Sequence, residues 1–325
     1  MTVGVWIVGY KKSGNGPKTD GIYADTSVLL STLRRNPHLS SLVRNVNFHY
    51  AIFSTDDEDS LPPPLLPSEL PQLLDELLQL LTLAKRLNFN LKQCYQAEMD
   101  EAVGRYQDAH QDNDTPSFRF SCWWERSDDV VLRGKYEGFE QNWHSNPSSS
   151  TLSLSSFLER SKTSLRDLTV NLDDDLDLRS FIHLERLRLL LPLDSSKMSV
   201  TATRVLSPLS SLRSLLLADF THGGASIELL TTGKLASALP SRLTLLAVGY
   251  DCNDPSPAAA LSLLRALPAA SSLKMVNLFS DREEDVEGKG SIRKEDRLQW
   301  VDENDLVEEF SQKGIRLTLV EDWNW

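Results

Sequence analysis

The stretch Leu212-Arg-Ser-Leu215-Leu-Leu217-Ala-Asp219 carries leucines at its first, fourth and sixth positions. On an extended strand successive side chains point to opposite faces, so Leu215 and Leu217 face inward while Ser214, Leu216 and Ala218 face outward. Leu212 closes the turn that leads in. The same phrase returns as Leu165-Arg-Asp-Leu168-Thr-Val170, Leu184-Glu-Arg-Leu187-Arg-Leu189, Leu243-Thr-Leu-Leu246-Ala-Val248 and Leu273-Lys-Met-Val276-Asn-Leu278. Helical patterns at Leu154–Arg160, Val200–Leu209, Ile227–Leu239, Ala258–Leu267 and Asn304–Gln312 alternate with these strands, and Ile315–Val320 reads as a last one. The strands start 19, 28, 31 and 30 residues apart. One strand plus one helix every ~20–30 residues is the pattern of a leucine-rich repeat, and βα alternation predicts a parallel sheet. A single repeat cannot bury its own apolar face, whereas stacked repeats bury one continuous core. The expected fold is therefore an α/β leucine-rich-repeat-like solenoid over residues 1–325, with the sheet on the concave face and the helices on the convex face.

The first part of the chain follows the same grammar. Val3–Tyr10 reads as a buried strand, and a helix begins at Asp25 or Thr26, carries Val28, Leu29, Leu30 and Leu33 inward, and ends with Arg34 and Arg35 before Asn36-Pro37. Val43-Arg-Asn-Val46-Asn-Phe48 and Ala84-Lys-Arg-Leu87-Asn-Phe89 repeat the strand phrase. Between them an acidic, proline-rich loop precedes a leucine-rich helix over Pro67–Leu83, with Ser68 as its cap and Pro71 in its first turn. Residues 91–150 break the rhythm and read as an insertion. Its aromatic centre suggests a hairpin, because Phe118/Phe120 and Val130/Leu132 alternate at period two. Those rings either fill a local core or form an aromatic binding patch. Residues 281–301 read as a charged loop inside the last repeat, and Trp323 or Trp325 as part of a closing cap.

Lys and Arg number 34 against 46 Asp and Glu, and the net charge of -12 argues against nucleic acid or an anionic membrane as partner. Cys94, Cys122 and Cys252 are odd in number and far apart, which points to a reducing compartment, cytoplasmic or nuclear, and no segment has the ~20 apolar residues of a membrane span. None of GxSxG, HExxH, a P-loop or GxGxxG occurs, the six histidines are scattered, and Asp173-Asp174-Asp175 lacks the spacing of a calcium loop. No catalytic residue, cofactor or metal site is expected. The outward positions are polar in the early strands (Asn45, Asn47, His49, Arg86, Asn88, Asn90) and apolar in the later ones. Candidate partner-binding residues are Arg186, Arg188, Leu216, Leu245, Met275, Asn277 and Phe279. Two alternatives stay open: the apolar outward face receives a partner, or the chain's own insertion or tail covers it. Arg186 and Arg188 can grip a carboxylate or phosphate, or be neutralised by Asp167 on the next strand.

The helix, turn and strand Leu29-Leu30-Ser-Thr-Leu33-Arg-Arg-Asn-Pro37-His-Leu39-Ser-Ser-Leu42-Val-Arg-Asn-Val46 resembles the segment that follows the F-box in fungal F-box proteins with irregular leucine-rich repeats. Leu306-Val-Glu-Glu-Phe310-Ser-Gln-Lys-Gly314-Ile-Arg-Leu317-Thr-Leu319 resembles their close. The resemblance implies a substrate-recognition subunit of a cullin-type ubiquitin ligase whose repeats hold the substrate. It also implies an F-box upstream of the repeats, for which there is no room before Val3. Leu66-Pro67-Ser-Glu-Leu70 looks like an F-box opening, but Pro71 interrupts it and a repeat strand follows. The expectation is a non-enzymatic protein-binding module. A scaffold unconnected to ubiquitin, or a small-molecule enzyme with a pocket between insertion and sheet, are the alternatives.

Overall fold

The structure, a computed structural model, describes residues 2–6, 22–50, 70–81, 83–92, 96–110, 116–123, 131–141, 154–172, 176–191, 198–219, 234–250, 265–267, 272–280 and 306–320. The chain divides into two compact units, Met1–Leu165 and Arg166–Trp325, where the repeat pattern alone predicts one. Each is α/β, and every strand pairing within either unit is parallel.

In the first unit β1 (Thr2–Trp6), β2 (Ile22–Asp25), β3 (Asn45–Tyr50), β4 (Arg86–Lys92), β5 (Ser117–Trp123) and β6 (Gly138–Gln141) lie in the order β2-β1-β3-β4-β5-β6. Its helices are α1 (Thr26–Arg35), α2 (Pro37–Ser40), α3 (Leu70–Leu80), α4 (Gln96–Ala109) and α5 (Leu154–Phe157). In the second, β7 (Asp167–Asn171), β8 (Arg186–Leu191), β9 (Ser214–Asp219), β10 (Leu245–Tyr250), β11 (Met275–Ser280) and β12 (Arg316–Val320) run in sequence order. They alternate with α6 (Met198–Leu206), α7 (Lys234–Ala238) and α8 (Leu306–Gln312).

The leading leucine of each phrase sets the register. Leu184, Leu212 and Leu243 are buried, and each donates its N–H to the carbonyl three residues back, on Phe181, Leu209 and Pro240. That turn delivers the next two N–H groups to one carbonyl of the preceding repeat: Glu185 and Arg186 to Arg166, Arg213 and Ser214 to Glu185, Thr244 and Leu245 to Arg213, Lys274 and Met275 to Thr244. The consequence is that Leu168, Leu187, Leu215, Leu246, Val276 and Leu317 form one row across the sheet. At the C-terminal end Gly314, at φ +71, closes α8: its N–H meets the Ser311 carbonyl and that of Ile315 the Phe310 carbonyl. This is a Schellman turn, which needs a left-handed residue that glycine supplies without strain.

Residues 91–150 are not a separate insertion with a hairpin. They contain α4 and two strands that join the sheet in parallel, so Phe48, Phe89, Phe120 and Phe139 stand in one row across β3 to β6. Phe48 and Phe89 stack with centroids 4.9 Å apart. These rings, Phe118 and Tyr136 are buried and belong to the core; Trp124, Trp143 and the side chain of Trp123 lie outside the described residues. The misreading arose because the stretch before β6 is extended without being a strand. Its backbone is held by side chains: Asp100 of α4 accepts from Arg133 N (2.6 Å) and Gly134 N (2.9 Å), Gln107 holds both the N–H and the carbonyl of Lys135, and Ser161 and Ser164 take Tyr136 N and O. Asp100 is 4% exposed and also accepts from Tyr136 Oη at 2.7 Å. Burial pushes its carboxyl up from the ordinary carboxylate range, although all three hydrogen bonds pull the other way.

Candidate protein-binding face

The outward positions of β7 to β12 form rows set by the strand register. The first row is Asp167, Arg186, Ser214, Leu245, Met275 and Arg316, and the second is Thr169, Arg188, Leu216, Ala247, Asn277 and Thr318. All seven residues expected to bind a partner belong to outward positions of this unit. The structure treats them differently.

Arg186 is engaged: its Nε and Nη2 both donate to the carboxylate of Asp167, its register partner. The neutralising role expected of Asp167 therefore holds for Arg186. Arg188 is half-buried between Thr169 and Leu216 in the next row. Leu216 is 0% exposed, as are Ala218 and Ala247, and Leu190 is nearly so. Of the two expectations for the apolar outward face, burial is the one found at β8 to β10, so Leu216 offers no surface to a partner. A parallel sheet is ordinarily covered on both faces, and these strands follow that rule.

The face opens at the start of β10 and β11. Leu245 and Met275, register partners on β10 and β11, are both half-buried, and Arg316 beside them is exposed. Three side-chain oxygens of the two outward rows are shut off from solvent. Ser214 Oγ, Asn277 Oδ1 and Thr318 Oγ1 have no hydrogen-bond partner among the described residues, with Ser214 only 7% and Asn277 8% exposed. Asn277 and Thr318 are themselves register partners. A buried oxygen left unpaired forfeits roughly 1–3 kcal/mol of hydration, a cost that the described residues do not offset at these three. Phe279 occupies the next outward position on β11; its side chain lies outside the described residues.

The alternation rule names Ser214 and Thr318 as outward, yet polar type alone does not single them out, and only the packing shows their oxygens to be orphaned. Ser68, Asp173–Asp175, the 281–301 loop and the closing Trp323 and Trp325 lie outside the described residues. Among the described residues no three His, Cys, Asp or Glu side chains converge on a metal position, and no helix is long and apolar enough to cross a membrane. No family model matches the chain, and no curated protein matches it.

Proposed function

We propose that this chain is a leucine-rich-repeat-like solenoid that binds another protein rather than an enzyme, and that the partner docks on the outward face around Leu245 and Met275. The observation that carries this reading is the apolar pair Leu245 and Met275, which stays half-buried beside the fully covered Leu216 and Ala247. A partner segment that lays an apolar side chain on Leu245 and Met275 removes their remaining apolar surface from water. The F-box resemblance supplies a partner class, a substrate of a cullin-type ubiquitin ligase.

The test is site-specific photo-crosslinking. A photoreactive residue at Met275 is expected to form a discrete adduct with a partner, while one at Val200, exposed on α6, forms none, and Leu245→Asp abolishes the Met275 adduct. Equal labelling at both positions, or an adduct indifferent to Leu245→Asp, refutes the location. Co-purification of a cullin adaptor with the full chain supports the ligase role, and its consistent absence beside a reproducible partner removes that role.

A further inference from the structure

The half-buried pair Leu245 and Met275 is closed on two sides. Ala247 and Asn277, two residues further along the same strands, are buried, and so is Ser214, the register partner of Leu245 on β9. The other two sides are the lead-in to the strands and the flank at β12, and cations stand on both. Arg316 is the register partner of Met275 and is exposed. Lys274 precedes Met275, Arg213 precedes Ser214, and both are exposed. Arg242 is exposed in the turn before β10, which Ser272 ties to the next repeat by donating to the carbonyls of Ser241 and Leu243 at 2.6 and 2.8 Å.

Among the described residues no carboxylate neutralises these four side chains. Those nearest in the rows are engaged elsewhere: Asp167 takes Arg186, and Glu185, whose carbonyl accepts Arg213 N–H, gives its carboxylate to Arg166 at 2.6 Å. Glu308 of α8 accepts from Gln312, and neither it nor Glu309 bridges to Arg316 or Lys274. In a chain of net charge -12, the border of the apolar pair is therefore a local reversal of sign. Unpaired charges beside an apolar surface attract and orient the opposite charge on whatever covers that surface.

We propose that the segment docking on Leu245 and Met275 is a short acidic peptide stretch, with Asp or Glu within two residues of its apolar anchor. The inference rests on that pair being the docking site and adds the charge of the partner. From a strand spacing of about 4.8 Å and a rise of about 3.3 Å, the Cα atoms of Arg316, Lys274 and Arg213 lie about 4–6 Å from that of Met275 or Leu245. In an extended segment, residues one and two positions from the anchor stand about 3.3 and 6.7 Å from it, which brings their carboxylates within reach of the cations. The need for an apolar anchor and the repulsion from the rest of the chain disfavour a long polyanion such as nucleic acid.

Fluorescence anisotropy tests it with the full chain and labelled peptides that share a central Leu-Leu flanked by Glu, by Gln or by Lys, beside a Glu-flanked peptide with Ser-Ser at its centre and duplex DNA. The Glu/Leu peptide is expected to bind tightest and the Lys/Leu peptide weakest, with the difference shrinking as salt rises. Lys274→Ala and Arg316→Ala should each weaken Glu/Leu binding by about two- to fivefold and leave Gln/Leu binding unchanged, and Lys274→Glu combined with Arg316→Glu should reverse the order of the Glu and Lys peptides. Both residues are exposed, so the variants melt as the native chain does. Equal binding of the Glu/Leu and Gln/Leu peptides, indifference to salt or to the charge reversals, or preference for duplex DNA overturns the acidic partner while the apolar site stands. Equal binding of the Ser-centred peptide, or Gln/Leu binding untouched by Leu245→Asp, overturns the site itself, and absence of binding by every peptide overturns both.

Discussion

Asp100 offers the sharpest test of how the first unit is held together. The carboxylate sits on α4, 4% exposed, and accepts from Arg133 N–H, Gly134 N–H and Tyr136 O–H. Asp100→Ala leaves three donors without an acceptor, two of them on the buried residues Gly134 and Tyr136. Hydrogen bonds to a charged group contribute about 1.5–3 kcal/mol each, but the ionised carboxylate is itself penalised by burial, so the lower end of that range applies and the loss is about 3–5 kcal/mol. Asp100→Asn keeps one accepting oxygen and is expected to lose about half as much. The pH dependence follows from the raised pKa. Between the unfolded value of 3.8 and the higher folded value, the folded chain binds more protons than the unfolded one, so this group's contribution to stability falls as pH rises through that window. Urea unfolding of the native chain and of Asp100→Asn, followed from neutral pH down to about pH 4, reads both quantities. The stability gap between them should widen on acidification through the window, because only the native chain takes up the proton. A loss under about 1 kcal/mol in Asp100→Ala, or a gap that does not change with pH, refutes the account of a buried, fully bonded carboxylate holding the 131–137 segment.

Leu216→Arg should unfold the second unit or cost at least about 4 kcal/mol in urea unfolding, because it replaces a fully buried leucine by a charge with no partner built for it. A variant that folds with native stability would show that the outward face at β9 is open after all. Gly134→Ala places a methyl group within 2.7 Å of the Tyr136 ring, displaces the hydroxyl bound to Asp100, and should lower stability by about 1–3 kcal/mol, while Gly314→Ala should act through its positive φ alone because nothing lies within 4 Å of the added carbon. The Arg179 guanidinium holds Asp177 down to about 2, so this exposed pair adds stability above the unfolded carboxyl range and loses it as pH falls toward that value; Arg179→Ala should flatten that acid limb in thermal melts.

What the sequence made legible follows from which residues carry a one-dimensional signal. The strands at 167, 186, 214, 245 and 275 begin two residues after leucines 165, 184, 212, 243 and 273, because the turn those leucines close is local. α1 and α8 fall where the apolar stripe and the Asn36 and Gly314 stops put them. α4 was not legible: its inward residues Met99, Ala102 and Val103 are few, and Asp100 interrupts the buried side of the helix with a charge whose partners lie more than thirty residues away. The 131–137 segment alternates like a strand but bonds to side chains of α4 and of the 161–164 turn, and composition cannot announce such partners. β2 escaped notice for a related reason, since its place beyond β1 is out of sequence order.

The outward face was misjudged at Leu216 because alternation was applied to a stretch that does not alternate. Leu215-Leu216-Leu217-Ala218 on β9 and Leu245-Leu246-Ala247-Val248 on β10 are unbroken apolar runs, the pattern of parallel strands covered on both sides. Their burial at 216, 218 and 247 agrees with that reading. By contrast β3 and β4, Asn45-Val46-Asn47-Phe48 and Arg86-Leu87-Asn88-Phe89, alternate strictly, and their outward residues are half-buried or exposed. Polar residues return at Asn277 on β11 and Thr318 on β12, the two strands that follow the covered zone. Outward positions are therefore partly open where alternation holds, as at Asn45, Asn47, Arg86 and Asn88, whereas in the second unit Leu245 and Met275 are half-buried and Arg316 exposed although β10 does not alternate.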